Sequence, residues 1–261
     1  MKDFPLLIEP FKGDAEKAKE MFSKNNNAAC IFEFEAGKLP FLSDRKPLFS
    51  IDSFYIVPTV KKTTLLYDIK TDCFIKIIQP LTFKRRLISL FSNKGRSLYN
   101  LSERLSLKGL SVPEILAYGH FHKGRKPFFV MKRIKGESLY ELLLNRKQRL
   151  PHSIYIKVMD SLLLLHSYGY WFGDLRVSHI FIKRQEISGF VDIDSIRRNL
   201  PYRLRNIAKD LAGLNHPGLL LEKDKKKKLF DYYISRSNIS KKDSLLILVN
   251  KYTEHRWGKA I

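Results

Sequence analysis

Cysteine is nearly absent from this chain. Cys30 and Cys73 are the two present. They are too few for a disulfide framework, and neither their spacing nor their neighbours suit zinc, so a reducing compartment is expected. Long hydrophobic runs are missing as well. The best, Leu162–Leu165 and Leu245–Val249, fall far short of the roughly 20 apolar residues needed to span a bilayer. The opening Met1-Lys2-Asp3-Phe4-Pro5 lacks the charged-then-apolar order of a signal peptide. A cytoplasmic protein, peripheral to a membrane if associated with one, is the expectation. Glycine and proline, at 13 and 11 residues, sit near average usage, which excludes a collagen-like or low-complexity chain.

What the chain does have is an apolar fraction of 44% with 12% aromatics, too much for a disordered polymer. Its 261 residues suffice for one large domain or two joined lobes with a real core. It also has cation in excess, with 48 Lys and Arg against 26 Asp and Glu, for a net charge of +22. The excess is uneven: residues 1–70 carry +1, residues 71–134 carry +10, residues 135–220 carry +5 and residues 221–261 carry +6. Such a field attracts nucleic acid, anionic lipid headgroups or a phosphorylated or carboxylated substrate. Around Lys84–Arg86 and Lys225–Lys228 aromatics are sparse (Phe83, Phe91, Phe230), which argues against nucleic acid.

Residues 1–47 show no clear period. From Phe54 the runs Phe54–Val57, Thr64–Ile69 and Cys73–Ile78 read as strands of an antiparallel meander. Leu87, Leu90, Phe91, Leu98, Leu101 and Leu105 recur at helical spacing, with Gly109 as a stop. Residues 116–121 and 127–134 read as two more strands. After Gly136 the pattern predicts helices over Ser138–Asn145 and Ile154–His166, then a turn punctuated by Gly169 and Gly173. Two short strands follow, Ile180–Lys183 and Gly189–Ile193. From Arg203 helices are expected, with a strongly basic loop at Lys225–Lys228. A strand-rich first part and a helical second part thus join near Ile134–Gly136.

Chemistry concentrates in Gly173-Asp174-Leu175-Arg176-Val177-Ser178-His179 and in Gly189-Phe190-Val191-Asp192-Ile193-Asp194. In an acid-poor chain Asp174, His179 and Asp192 border apolar strands, where an unpaired charge is costly. One reading is structural: Asp174 pairs with Arg176 and Asp192 caps the next turn. The other is phosphoryl transfer, which has little covalent work to do and needs a fixed nucleophile and neutralised phosphoryl charge. His166, ending an apolar helix, reads as a hydrogen-bonded packing histidine. Phe172 reads as core.

From about Phe54 onward the sequence resembles the protein-kinase-like fold and, within it, the lipopolysaccharide core-sugar kinases that phosphorylate Kdo or heptose. The resemblance rests on Cys73-Phe74-Ile75-Lys76-Ile77-Ile78, on the stretch Gly109–Gly119, on Val130–Leu139, on the Asp174 loop and the Asp192 strand end, and on Arg205–Ala212. It implies an α+β, bilobal fold: a small antiparallel-sheet N-lobe over 51–134, a mainly helical C-lobe over 135–261, and an N-terminal extension, 1–50, on or near the N-lobe. It implies ATP and Mg²⁺ as cofactors, with Lys76 contacting the ATP phosphates, Asp174 as the catalytic aspartate and Asp192 as the metal aspartate. Glu103, the one acid between Phe74 and Pro113, is the candidate partner of Lys76; a solvated helix residue is the other reading. Arg176 stands where protein kinases carry a lysine that touches the transferred phosphate; otherwise it neutralises Asp174. His179 replaces the usual Asn metal ligand, a swap that favours heptose over Kdo. Imidazole is softer than Mg²⁺ prefers, so ligation, orientation of a water or neither stay open for His179. Asp210 reads as a structural ion-pair partner.

No G-x-G-x-x-G covers the phosphates; Pro58–Thr64 holds no glycine, with Lys61 and Lys62 as candidate substitutes or solvated turn residues. These sugar kinases often lack that loop. The expected partners are an anionic lipopolysaccharide acceptor and an anionic membrane surface, at the cytoplasmic face of the inner membrane. The alternatives are a kinase for another small molecule or a protein, and a catalytically inactive basic binding module.

Overall fold

A computed structural model describes residues 31–33, 54–57, 63–68, 72–78, 94–120, 127–219 and 221–258. The remainder of 1–50, Cys30, Lys61, Lys62 and Lys84–Arg86 lie outside the described residues, as does the expected helix start at 87–93. The chain clusters into two compact units. One is Met1–Arg104 with Pro113–Arg133; the other is Leu105–Val112 with Ile134–Ile261.

The first unit is built on a six-stranded sheet. Numbered over the described residues, its strands are β1 (Ile31–Glu33), β2 (Phe54–Val57), β3 (Thr63–Asp68), β4 (Cys73–Ile78), β5 (Ile115–His120) and β6 (Pro127–Lys132). Their order is β1-β5-β6-β4-β3-β2, and every pairing is antiparallel. The alternation in β4 settles its facing: Cys73, Ile75 and Ile77 are buried, while Phe74, Lys76 and Ile78 are half-buried on the opposite face. Helix α1 (Lys94–Leu107) turns Leu98 inward, and Ser102 Oγ donates to the Pro113 carbonyl at 2.6 Å. Asp72, at the β3–β4 turn, accepts from Tyr67 Oη at 2.6 Å and pairs with Arg133 Nε at 2.5 Å. β1 was not foreseen: three residues are too few for an alternation to register, and pairing with β5 specifies the strand.

The second unit is mainly helical. It contains β7 (Glu137–Ser138), a π-helical turn at Glu141–Asn145, α2 (His152–Ser167), β8 (Tyr170–Trp171), β9 (Ile180–Lys183), β10 (Glu186–Phe190) and β11 (Arg197–Arg198). Helices α3 (Leu204–Leu214), α4 (Lys223–Arg236) and α5 (Lys242–Trp257) complete it. β10, β9 and β7 form one small sheet; β11 and β8 form another.

Three expectations are corrected here. Of the helix expected over Ser138–Asn145, Ser138 is strand and pairs with Phe181, while the rest is helical, π-helical over Glu141–Asn145. β10 stops at Phe190 because Asp192 takes a left-handed backbone, φ 61° and ψ 38°, which no strand can continue through. Lys225–Lys228 is not a loop but lies inside α4: lysine is a good helix former, and Leu229, Tyr233 and Ile234 supply the buried face.

Two glycines decide how closely the second unit closes. A Cβ on Gly213 in α3 would lie 2.2 Å from the Leu175 carbonyl oxygen and 2.9 Å from Arg256 Nη1. Gly173, at φ +81°, has the Ser195 carbonyl 2.8 Å from where its Cβ would be. Gly213 is helical and unstrained, so its role is purely one of space. Replacing Gly213 by Ala should therefore cost about 1–3 kcal/mol through overpacking. Denaturant unfolding checks this; an unchanged midpoint would mean that α3 does not bear on the 173–176 loop.

Candidate functional site

The sequence-predicted residues fall in both units. Lys76 sits mid-sheet on β4, across from Leu65 of β3 and Phe129 of β6. Glu103 is half-buried on α1. Asp174, Arg176, His179 and Asp192 belong to the second unit, and there the geometry explains itself from the backbone outward.

The loop that carries Asp174 leaves β8, and its first amides need acceptors. Asp210 of α3 supplies them: its carboxylate accepts the Phe172 amide at 2.6 Å and the Gly173 amide at 3.2 Å. His166 of α2 contacts the same carboxylate through Nε2 at 3.1 Å, and its Nδ1 lies 2.7 Å from Tyr233 Oη of α4. Asp210 is completely buried. Burial, reinforced by nearby Tyr202 and Asp210, pushes the Tyr233 phenol far up, so it keeps its proton. Tyr233 Oη–H can donate to Nδ1 while Nε2–H donates to Asp210, which gives each of these groups a partner. Phe172 fills the space behind the loop, fully buried, its ring 5.3 Å from that of Phe190. Asp210 is thus a structural residue, the partner of His166 and the acceptor of two backbone amides.

Asp174 itself is half exposed, at 48%. Arg176 grips it from two residues on, Nε to Oδ1 at 3.3 Å and Nη2 to Oδ2 at 3.1 Å. The pairing with Arg176 is therefore real. A second guanidinium arrives from α5: Arg256 Nη2 donates to Asp174 Oδ1. Arg256 is the more buried of the two arginines, 21% exposed against 52%. Burial lowers its pKa, and Asp174 opposes that shift. Trp257 fixes this helix end by donating from Nε1 to the Ala212 carbonyl at 2.9 Å. Sequence reasoning missed Arg256. Eighty-two residues separate it from Asp174, and nothing local marks it.

The β9–β10 ladder sets the backbones of Asp192 and His179 at neighbouring strand ends. Ile180 faces Phe190, and the Val191 amide donates to the His179 carbonyl at 2.9 Å, so both residues stand at the same strand ends. The capping alternative for Asp192 is not realised by its side chain: the following turn receives only its carbonyl, from the Ser195 amide at 3.0 Å and Ser195 Oγ at 2.8 Å. Aspartate tolerates the left-handed backbone better than most residues. Among the described residues no group of three or more His, Cys, Asp and Glu is placed to hold a metal ion. Mg²⁺ does not need one, since it keeps waters and substrate phosphates and takes one or two protein carboxylates. The Asp192 carboxylate fits that demand; the His179 imidazole fits it poorly.

Because Asp210 serves two amides and an imidazole at once, its loss should exceed that of Tyr233, which serves one. Asp210→Ala should cost about 3–5 kcal/mol and Tyr233→Phe about 1 kcal/mol, both read by denaturant unfolding. Equal costs would remove Asp210 as the anchor of the loop.

No family model matches the chain, and no curated protein matches it by sequence. Solved structures do. The 2.2 Å crystal structure of WbdD aligns over 90% of this chain at a TM-score of 0.53 and 15% identity. A co-crystal of WbdD with the kinase inhibitor LY294002 aligns over 95% at 0.52 and 18%. In a further structure, aligned over 85% at a TM-score of 0.46 and 14% identity, WbdD is named as a bifunctional kinase-methyltransferase. The chain spans a little over half of WbdD's length, 55% and 59% in the first two alignments. Among the described residues no helix is long and apolar enough to cross a membrane. The first two likenesses agree with the sheet and helices above, and the chain has an α+β, kinase-like fold.

Proposed function

We propose that the chain is an ATP-dependent kinase that phosphorylates a sugar hydroxyl of the lipopolysaccharide inner core, heptose before Kdo. The observation that carries this reading is the buried Asp210 anchor, which holds the amides just ahead of Asp174. In this reading Asp174 accepts or orients the acceptor hydroxyl proton. Arg176 meets the transferred phosphate, and Lys76, with Glu103 as its partner, contacts the nucleotide phosphates. Asp192 would hold Mg²⁺, with His179 beside it as a second ligand or the orienter of a water. The ion supplies neutralisation of phosphate charge when bound. Kinase activity in a protein of like fold, and its co-crystal with a kinase inhibitor, support an ATP-type ligand.

The net charge of +22 supports an anionic, membrane-borne acceptor. Near an anionic surface a Lys or Arg gains roughly 1 kcal/mol. An anionic membrane surface at the cytoplasmic face is accordingly part of the proposal, and nucleic acid is not.

The test is transfer of labelled phosphate from ATP to purified rough-type lipopolysaccharide, with Asp174→Ala alongside. Label should appear on the core and fall about 10²–10⁴-fold in the variant while its unfolding midpoint stays within the normal range. Transfer at the unmutated rate in Asp174→Ala would overturn the assignment. ATP binding without labelled core would keep the kinase and change the acceptor, and neither binding nor label would leave a basic binding module.

A further inference from the structure

The second unit contains a cavity of about 310 Å³ that the kinase reading leaves unused. Four helices supply most of its walls, with Val158 of α2, Leu211 and Leu214 of α3, Leu229 of α4 and Val249 of α5; Leu139, Val177, Leu219 and Leu221 add to them from outside those helices. Protein interiors are close-packed, and a void of this size falls in the range of small-molecule sites. Its lip differs from its walls. Lys226 and Lys227 of α4 stand there, with Leu246 of α5, a leucine left 42% exposed.

Lys226 is half-buried against this apolar surface, and among the described residues it makes no ion pair. Burial lowers its pKa, and its charge in turn adds to burial in lowering that of His216. The chain thus holds an uncompensated cation at the mouth of a greasy cavity. The neighbours do not offset it: α4 opens with Lys223, Lys225, Lys226, Lys227 and Lys228, and Lys225 already takes Glu222. Asp231 also lines the cavity and is in no ion pair among the described residues. With Asp224 in the first turn of α4, that makes two acids against five lysines.

These features select a ligand chemistry. Leucine, valine, Met159 and Phe230 dominate the lining; of its polar groups, Asn215 spends its amide on Thr253 Oγ1 at 3.3 Å, and Tyr155 and Asn250 are too few to frame a base or a sugar. The apolar walls do suit a hydrocarbon chain, and the cations at the lip suit an anion at its end. We propose that this cavity takes the acyl chain of an anionic lipid, the chain lying between α2, α3, α4 and α5 and the headgroup on Lys226 and Lys227. Val177, three residues beyond Asp174, lines the cavity, but neither Asp174 nor Arg176 does, and the proposal stands whether or not the chain transfers phosphate.

Isothermal titration of the full chain with dodecyl phosphate, kept below its micelle concentration, tests this. Butyl phosphate serves as the short-chain control. One dodecyl phosphate should bind per chain, at least about tenfold tighter than butyl phosphate, because the added methylenes are buried. Met159→Trp, which fills the cavity from α2, should abolish binding, and Lys226→Gln should weaken it about fivefold. Should Met159→Trp fail to fold, Leu246→Glu at the exposed lip should weaken binding about tenfold instead. No saturable binding, equal affinity for the two phosphates, or unchanged binding in the folded cavity variant would each overturn the proposal.

Discussion

One buried carboxylate holds the second unit to its chemistry. Asp210 has no water to solvate it, so its charge is tolerable only because two backbone amides and an imidazole point at it. That requirement works in both directions. The helix cannot bury Asp210 unless the 172–173 amides are in place, and those amides, released from β8, have no other acceptor among the described residues. Through His166 the constraint extends to Tyr233, so α2, α3 and α4 are tied to one point. Gly213, one turn further along α3, then lets the Leu175 carbonyl approach. Asp174 is positioned by what lies on either side of it, before any contact of its own is counted.

The acids of this acid-poor chain show how its backbone places carboxylates. Surface charge here is dominated by lysine and arginine, yet Asp174, Asp192 and Asp210 each occupy a place with a separate backbone reason. Asp210 receives amides, Asp192 takes a left-handed turn that ends β10, and Asp174 follows a glycine at positive φ. An aspartate substituted elsewhere on this surface would meet cations with no such geometry. Net charge therefore attracts polyanions to the chain, but local backbone decides where a carboxylate can act.

Legibility in the sequence followed the strength of local signals. Phe54–Val57, Cys73–Ile78 and Ile180–Lys183 were readable to the residue, because alternation and flanking polar residues bound them on both sides. The lysine run at 225–228 was not readable as helix. Its apolar face begins only at Leu229, so a window centred on the lysines sees no period. His166 was legible as a hydrogen-bonded packing residue because it ends an apolar helix, and its partners Tyr233 and Asp210 came only with the fold. The Asp174 and Asp192 segments stand out in the sequence by resemblance to a family, a route that reads spacing and strand context together, and the fold places both in the second unit. Arg256 was beyond either route, since a contact across eighty-two residues leaves no mark on its neighbours in sequence.

The two arginines on Asp174 are not equivalent, and the difference bears on how such a loop can work. The Arg176 pair is about half exposed on both sides, where water and salt leave a pair worth little, of order 0–1 kcal/mol. Arg256 comes from a partly buried helix end, fixed by Trp257 on the Ala212 carbonyl, and it loses more by leaving its carboxylate. The loop thus carries one held cation and one that exchanges readily. Arg176, the exchangeable one, is also the residue with two readings, as neutraliser of Asp174 and as contact for a transferred phosphate. In the proposed kinase reading, a weak, exposed pair would let one guanidinium serve both, on the carboxylate until an anion of higher charge arrives and on that anion afterwards, while Arg256 keeps Asp174 partnered.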